Sequence, residues 1–571
     1  MWFGFKLSQR LARGFFVLAS AALFAACTDV RPTETQSHPV YTVIVSPDTA
    51  TIAVSDTLRL SAALLDSSGT ALSGRTVTWS SDASNIAGVS TTGLVSAADS
   101  GTATITAASE GRLATAKVKV HGRPVTPPPP PPPPSHTGFF VSPSGSSSAD
   151  GSIDHPWDLG TALANASSRV QPGDTVWLRG GTYRGNFRSM LSGTASQPIV
   201  VRQYPGERAI VDGATGNSTA STWYVGGQYS VYWGFELINS DPNRVLSSTE
   251  RRYNVVANYA NHTKYVDLIV HDGGVAFYNE SPYYDVEIVG CIIYNEGWQG
   301  PDRGHGHAIY LRSNTGPVTA RDNIMFNQFG YGVHVFTNPG EGQLDNIHLD
   351  GNVSFNNGTL SNNSSSSNIL FGGDDYSTGG VLQNNMTYES PGVPGPNVEV
   401  GYGATVNGTV ELSNNYVAAG GTVLNVGYWS SLSASGNQLI GTSQILQIND
   451  PSLSATTFSG QTQSSLPTVT KVVVRPNPYE RGRANIVVYN WGGQSSVSVD
   501  LSSIVPAGAR YQIRNVQDWF GSPVVSGTYS GGSVTIPIRS ATPPTPIGMS
   551  SSPAPSTGTA FNTYVVTIQD Q

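Results

Sequence analysis

Short, self-similar segments recur between residues 234 and 442, and they constrain this chain more than any other feature. GFELIN starts at Gly234, DLIVHD at Asp267, GCIIYN at Gly290 and NIMFNQ at Asn323. NVSFNN, NMTYES, NYVAAG and NQLIGT follow at Asn352, Asn385, Asn415 and Asn437. The spacing runs from 22 residues (Asn415 to Asn437) to 33 (Gly234 to Asp267). A near-constant unit with loops of variable length is what a stack of coils produces. Each unit has an alternating strand before its anchor, such as VEIVG, VTARD or IHLDG, and later units add one after it, such as HAIYLRS or GYGVHVF. Asparagine at the bend has a physical reason. Its amide can hydrogen-bond to the Asn above and below, and it tolerates a left-handed backbone.

This series resembles the right-handed parallel β-helix proteins of the pectate lyase-like group, over roughly 137–466. Composition agrees with such a fold, since only 12% of the 571 residues are charged and 63 are glycine, a poor basis for helix bundles. The net charge of −8 gives no reason to bind nucleic acid or an anionic membrane surface.

A chain this long should hold several domains. Residues 1–26 read as a signal peptide, with Lys6, Arg10 and Arg13 before the apolar run GFFVLASAALFAA. Ala25-Ala26-Cys27 resembles a bacterial lipobox, which implies cleavage before Cys27 and lipidation of its thiol. The expected product is an outer-membrane or cell-surface lipoprotein, alternatively a secreted one, tethered through 27–38 and touching the membrane only through lipid. Cys291 is then the sole remaining cysteine, so no internal disulfide can form.

Residues 39–121 alternate with period two, and GRTVTWSSD, STTGLVSA and GTATITA resemble the bacterial Ig-like group 2 domain. Residues 122–136 form a proline-rich linker. Its eight consecutive prolines, Pro127 to Pro134, favour a stiff polyproline II arm of roughly 25 Å. An amphipathic helical piece between Trp157 and Val170 is suited to cover the open end of the solenoid. Residues 467–571 (KVVVRPN, ANIVVYNW, GGSVTIPI) read as a C-terminal β-sandwich. They look like the accessory domains of secreted carbohydrate-active enzymes. The expected fold class is all-β, a β-helix flanked by two sandwiches.

Polymers bind along an outer face of such a solenoid, so outward side chains in register matter most. If Ile309 and Leu311 point inward, Tyr310 and Arg312 point outward. The same register sends out Tyr278 and Glu280 one coil before, and His334 and Phe336 one coil after. Tyr278, Tyr310 and His334 should then form one column, with Glu280, Arg312 and Phe336 beside it.

That pair of columns suits an acidic sugar. Abstracting the proton beside a uronate carboxyl needs a cation, a base and an acid for the leaving oxygen. Arg312 is the expected cation, His334 the base and Tyr310 the acid or a second base, with Lys264, the only lysine of the solenoid, a rival base. Arg244, Arg251, Arg252, Arg303 and Arg321 add positive charge to the same coils, whereas 322–470 hold no Lys or Arg. The inserted loop GWQGPDRGHG supplies Trp298, Arg303, His305 and, just beyond it, His307 as further substrate-binding candidates with Tyr278 and Phe336.

The leading expectation is therefore a polysaccharide lyase acting by β-elimination on a uronate-containing polymer, working as a monomer. A uronate C5-epimerase would use the same first step. A non-catalytic glycan-binding adhesin fits the Ig-like domain and the stiff arm equally well. A hydrolase ranks lower. Gly304-His305-Gly306 is similar to the polygalacturonase motif, but Asp374-Asp375 follows it where that family's aspartate pair precedes. The resemblance to β-helix lyases also admits calcium. Asp267, Asp272, Glu296 and Asp302 are available carboxylates, though no spacing dictates a site.

Overall fold

The computed structural model describes residues 39–121 and 138–569, apart from 54–56, 85, 98–100, 167, 215–219, 315, 363–365, 391–392, 394 and 550–553. The expected signal sequence, the expected lipidation site Cys27 and the proline run lie outside the described residues. The chain divides into two compact units at Pro127 and Pro128. In the first, Thr49–Ala53, Arg112–His121, Gly101–Ser109 and Thr78–Ser81 form a four-stranded sheet. It shares a core of Leu60, Val95, Ile105 and Val118 with smaller strand groups.

The second unit is built on three long parallel sheets, the right-handed parallel β-helix expected from the repeat. The first and second sheets have 11 strands each and the third has 10. One coil illustrates the path: Val286–Val289 lies in the first sheet, Ile292–Tyr294 in the second and Ile309–Leu311 in the third. Most strands have only three to five residues, and they stack in register because alternate side chains all enter one core. Ile288, Ile293, Ile309, Met325, Val333 and Leu349 belong to that core.

The short bend between the first and second sheets carries the asparagine ladder. Asn323 donates through Nδ2 to Asn352 Oδ1 at 3.0 Å, Asn352 to Asn385 at 3.0 Å, Asn385 to Asn415 at 3.0 Å and Asn415 to Asn437 at 2.9 Å. Gln461 ends the run. The left-handed residue is the one before each ladder member. Asp322, Gly351, Asn384, Asn414 and Gly436 have φ between 54° and 67°, and Asp267 and Gly290 have 54° and 68°. The first units therefore align one residue later than their anchors suggest. Cys291, whose N–H donates to Asn323 Oδ1 at 3.0 Å, is the true equivalent of Asn323.

The helical piece ahead of the coils is a single short helix, Leu159–Ala164, capped by Asp158 accepting from the Thr161 N–H at 2.9 Å. Leu159, Ala162 and Leu163 close the core.

Residues 471–568 fold as a five-stranded sheet facing a two-stranded one over their own core. The large sheet turns its other face onto the second sheet of the solenoid. There Tyr294, Phe326 and Phe355 stack in a column that Tyr388 continues in register, Tyr388 stacks on Phe561, and Val487, Tyr489 and Val565 complete the cover. Burying an aromatic or aliphatic side chain of this size is worth about 1.5–3 kcal/mol. Arg475 pairs with Asp322 and Asp350, and Arg483 with Asp267 at 3.0 Å. This region is thus fastened to the solenoid along its second sheet.

Candidate functional site

The third sheet positions the site. Tyr278, Tyr310 and His334 are direct register partners on Phe277–Asn279, Ile309–Leu311 and Val333–Val335. Their neighbours Phe277, Ile309, Leu311, Val333 and Val335 are buried, which forces these three outward. Ring centroids are 5.4 Å apart for Tyr278 and Tyr310, and 4.9 Å for Tyr310 and His334, both stacked. Ala276 and Ala308 do not follow the alternation. They precede the three-residue strands and are fully buried in the core.

The second column holds Arg312, but not as a free cation. Its guanidinium pairs with Glu280 at 3.6 Å and with Glu341, and its Nη2 donates to the Tyr310 hydroxyl at 2.7 Å. Its Nε donates to the Phe336 carbonyl at 3.3 Å. With two carboxylates on it and 8% exposure, Arg312 cannot grip a substrate carboxylate as the sequence suggested. It serves Tyr310 instead. Tyr278 in turn donates its hydroxyl to Glu280.

His334 lies in an aromatic box. Tyr331 stacks on it at 4.5 Å and Phe336 at 4.8 Å, with His307 tilted at 4.3 Å. Its Nδ1 is buried without a hydrogen-bond partner. Burial, with the nearby His307, Arg303 and Arg312, holds its pKa well below the usual histidine value, so the imidazole is neutral. His307 is depressed for the same first reason, and its Nδ1 accepts from the Tyr331 N–H at 3.1 Å. Burial raises Tyr310, although Arg312 opposes the rise.

The inserted loop folds as a small hairpin, Trp298–Gln299 against Gly304–His305. Trp298 does not offer an open stacking face. It is 9% exposed and His305 covers it, centroids 5.2 Å apart and 11° from parallel. His305 is pinned to Asp302 at 2.8 Å. Arg303 remains out in solvent, with 46% of its side chain exposed. Its charge acts on His307, His334 and Tyr331, so it stands beside the column.

Lys264 lies elsewhere. It sits on Thr263–Val266 of the first sheet, donating to Glu287 at 2.6 Å and to the Tyr479 hydroxyl at 2.8 Å. A different sheet carries it and Tyr479 of the C-terminal region bonds it, so the structure does not bring Lys264 to the column. Arg244 and Arg252 are also withdrawn from any polymer. Both are buried and donate to backbone carbonyls, among them Gly297 at 2.6 Å and Asp272 at 2.8 Å.

The carboxylates open to calcium do not converge. Asp267 pairs with Arg483, Asp272 with Arg244 and His271, and Asp302 with His305, while Glu296 is fully buried. Among the described residues, no group of three or more His, Cys, Asp or Glu could hold a metal ion. These residues do not fit a calcium centre.

Tyr331, Glu341 and Tyr402, the last 5.2 Å from Phe336, belong to the site without having been expected there. Tyr331 could have been found, since it sits three residues before His334 in GYGVHVF. Glu341 and Tyr402 could not, because loops of unpredictable path bring them in.

Fold and site together describe a solenoid whose third sheet carries a tyrosine–histidine–arginine cluster. Residues 139–395 match a family described as Pel9A-like, right handed beta helix region, and residues 39–120 match the bacterial Ig-like domain (group 2). Pectate lyase L of Thermoclostridium stercorarium is 24% identical over 291 residues, covering 48% of this chain and 22% of that protein. Pectate lyase PEL9 of Emericella nidulans is 45% identical over 76 residues, covering 13% and 18%. The chain thus spans about a fifth of the length of these curated relatives. The crystal structure of pectate lyase Pel9A is 18% identical, with a TM-score of 0.36, over 58% of this chain and 84% of that one.

Proposed function

We propose that the protein is an exported polysaccharide lyase that cleaves a uronate-containing polymer by β-elimination at the Tyr278–Tyr310–His334 column. The pectate lyase names of its relatives support the reaction class. The opposed protonation tendencies of two stacked groups carry the assignment of roles. His334 is kept neutral and can take a proton, whereas Tyr310 is kept protonated and can give one.

In this reading Arg303 binds the uronate carboxylate from the loop and offsets charge as it develops. His334 abstracts the proton on the carbon beside the carboxyl. The electron pair forms the double bond, the glycosidic oxygen leaves, and Tyr310 protonates it. Arg312 stabilises the phenolate left behind. A C5-epimerase would share the first transfer and return the proton. The sequence Ala25-Ala26-Cys27 supports export and a lipid anchor.

Pectate, alginate and glycosaminoglycans, each incubated with the protein, test the reading. The conjugated double bond left by elimination absorbs in the ultraviolet, and His334→Ala and Tyr310→Phe should abolish its appearance. Absence of unsaturated product from every polymer sinks the lyase reading, and full activity in both variants sinks the column.

A further inference from the structure

The outward row of the third sheet extends well past the column at both ends. Arg188 and Tyr224 precede it in register, on Phe187–Ser189 and Trp223–Val225. Beyond His334 the register runs through Leu370 to Glu399, Asn425 and Gln447, on Pro396–Val400, Thr422–Val426 and Gln444–Ile448. Val398, Val400, Leu424 and Val426 enter the core, which turns Glu399 and Asn425 outward. Leu370 is fully buried, so Glu399 is the first partly exposed position of the row after His334.

The two ends differ in charge. Arg188 lies 3.9 Å over the Tyr224 ring, and Tyr259 stacks with that ring at 5.1 Å. Burial raises the Tyr259 hydroxyl and Arg251 opposes the rise, which puts Arg251 at the same end. Both arginines are exposed, and among the described residues neither has a carboxylate partner. Past His334 the character changes, since residues 322–470 hold no Lys or Arg. The row there offers a carboxyl and amides. Asn425 Nδ2 donates to Glu399 at 3.2 Å, and Asn449 Nδ2 to Asn425 Oδ1 at 3.0 Å. Burial raises the Glu399 carboxyl, with Asn425 opposing it, and its charge acts on Tyr331, the ring stacked on His334. Glu399 therefore borders the place next to the sugar at His334. A uronate laid there would set two carboxyl groups together with no cation to offset them, so one would have to stay protonated. An uncharged sugar meets no such conflict, because its hydroxyls donate to a carboxyl and exchange hydrogen bonds with amides in both directions.

We infer that the third sheet selects a heteropolysaccharide whose uronates are interrupted by uncharged sugars, with Glu399 as the residue that rejects consecutive uronates. This rests on the reading of the third sheet as the face that binds a uronate-containing polymer. Arg188 and Arg251 accept carboxylates on one side of the column, and Asn425 and Gln447 bind sugar hydroxyls on the other. Selectivity of this kind comes from a repulsive element as much as from an attractive one.

Binding and cleavage test this separately. Full-length His334→Ala protein is titrated calorimetrically with hexasaccharides of hyaluronan, of the rhamnogalacturonan backbone and of polygalacturonate. The first two alternate uronates with uncharged sugars, and the third is uronate throughout. At least one mixed oligomer should bind tighter than hexagalacturonate by about tenfold or more, since like charges set together weaken binding. Adding Glu399→Lys should erase that preference by tightening hexagalacturonate, and Glu399→Gln should reduce it, each with circular dichroism unchanged. Hexagalacturonate bound as tightly as both mixed oligomers, a preference unmoved in both variants, or no binding at all overturns the inference. Wild-type protein that releases unsaturated product from pectate as fast as from the mixed polymers also overturns it, and leaves the lyase reading standing. A binding preference that Glu399 controls, in a protein that cleaves no polymer, upholds the inference and sinks only the lyase reading.

Discussion

Arg312 donates to the Tyr310 hydroxyl oxygen at 2.7 Å, which leaves the phenol's own proton free to be given away. Glu280 and Glu341 fix the guanidinium in that pose. Tyr310→Phe should therefore lower kcat by about 10²–10⁴, the usual share of a general acid, with KM nearly unchanged. Arg312→Lys cannot span Tyr310 and both carboxylates in one plane and should lose about as much. Arg303→Ala should act differently, raising KM with a smaller effect on kcat. Steady-state kinetics on the same polymer separates the three, and a Tyr310→Phe variant with unchanged kcat removes the acid.

The neutral state of His334 sets the acid limb of activity. Its folded pKa lies below the ordinary value of about 6.5, so the base stays ready at pH 6 and fails only at lower pH. The kcat/KM profile should have its acid midpoint below 6.5. Stability follows the same group and His307. Below pH 6.5 the unfolded chain takes up protons that the folded imidazoles refuse, so stability falls with pH through that window. An acid midpoint of activity above 7 contradicts this assignment.

His271 should titrate the opposite way. Burial pulls it down, but its hydrogen bonds to Asp272 at 2.7 Å and Glu236 at 3.0 Å outweigh burial and lift it to about 9. Its stabilising charge is fully present below the unfolded value near 6.5 and is lost as pH rises through 9. Histidine NMR resonances resolve this directly. The His271 signal should stay that of the imidazolium at pH 8, while those of His334 and His307 stay neutral at pH 6.

The solenoid was legible because its signal is periodic. Asn323, Asn352, Asn385, Asn415 and Asn437 announce a ladder that only parallel coils can satisfy. The outward register of Tyr278, Tyr310 and His334 followed from alternation within a strand. What alternation cannot convey is the partner that neutralises a side chain. Arg312 reads as a free cation until Glu341 arrives from a loop, and Trp298 reads as a platform until His305 folds over it. Nor does it say which face another region covers. The column of Tyr294, Phe326, Phe355 and Tyr388 could have been a binding surface, and the C-terminal sandwich claims it instead.

That sandwich also accounts for Lys264, which bonds Glu287 and Tyr479 across the same junction. Lys264→Met should leave kcat and KM within about twofold of wild type. It should lower the thermal midpoint modestly, because a half-exposed ion pair contributes only about 0–1 kcal/mol before packing is counted. Loss of turnover in a folded Lys264→Met protein would restore it as the base and displace His334.

Asn385 offers the sharpest test of the ladder. Its Nδ2 donates to the Leu349 carbonyl at 2.9 Å and to Asn415 Oδ1 at 3.0 Å. Its Oδ1 accepts from the Asn352 N–H at 3.1 Å and from Asn352 Nδ2 at 3.0 Å. Asn385→Ala removes all four at a position 1% exposed, where no solvent can replace them. The Leu349 carbonyl and the Asn352 N–H then lose these partners in the core, and Asn352 Nδ2 keeps only its bond to the Ala320 carbonyl at 2.8 Å. At about 1–3 kcal/mol for a buried unsatisfied group, the loss should reach roughly 3 kcal/mol or more after partial relaxation. Asn384→Ala, one residue earlier, strains a left-handed backbone with φ of 56° but leaves the ladder whole. Its cost should stay nearer 1 kcal/mol. Chemical denaturation of the two variants should therefore rank Asn385→Ala clearly below Asn384→Ala, and equal midpoints would show that the left-handed bend, not the amide stack, holds successive coils together.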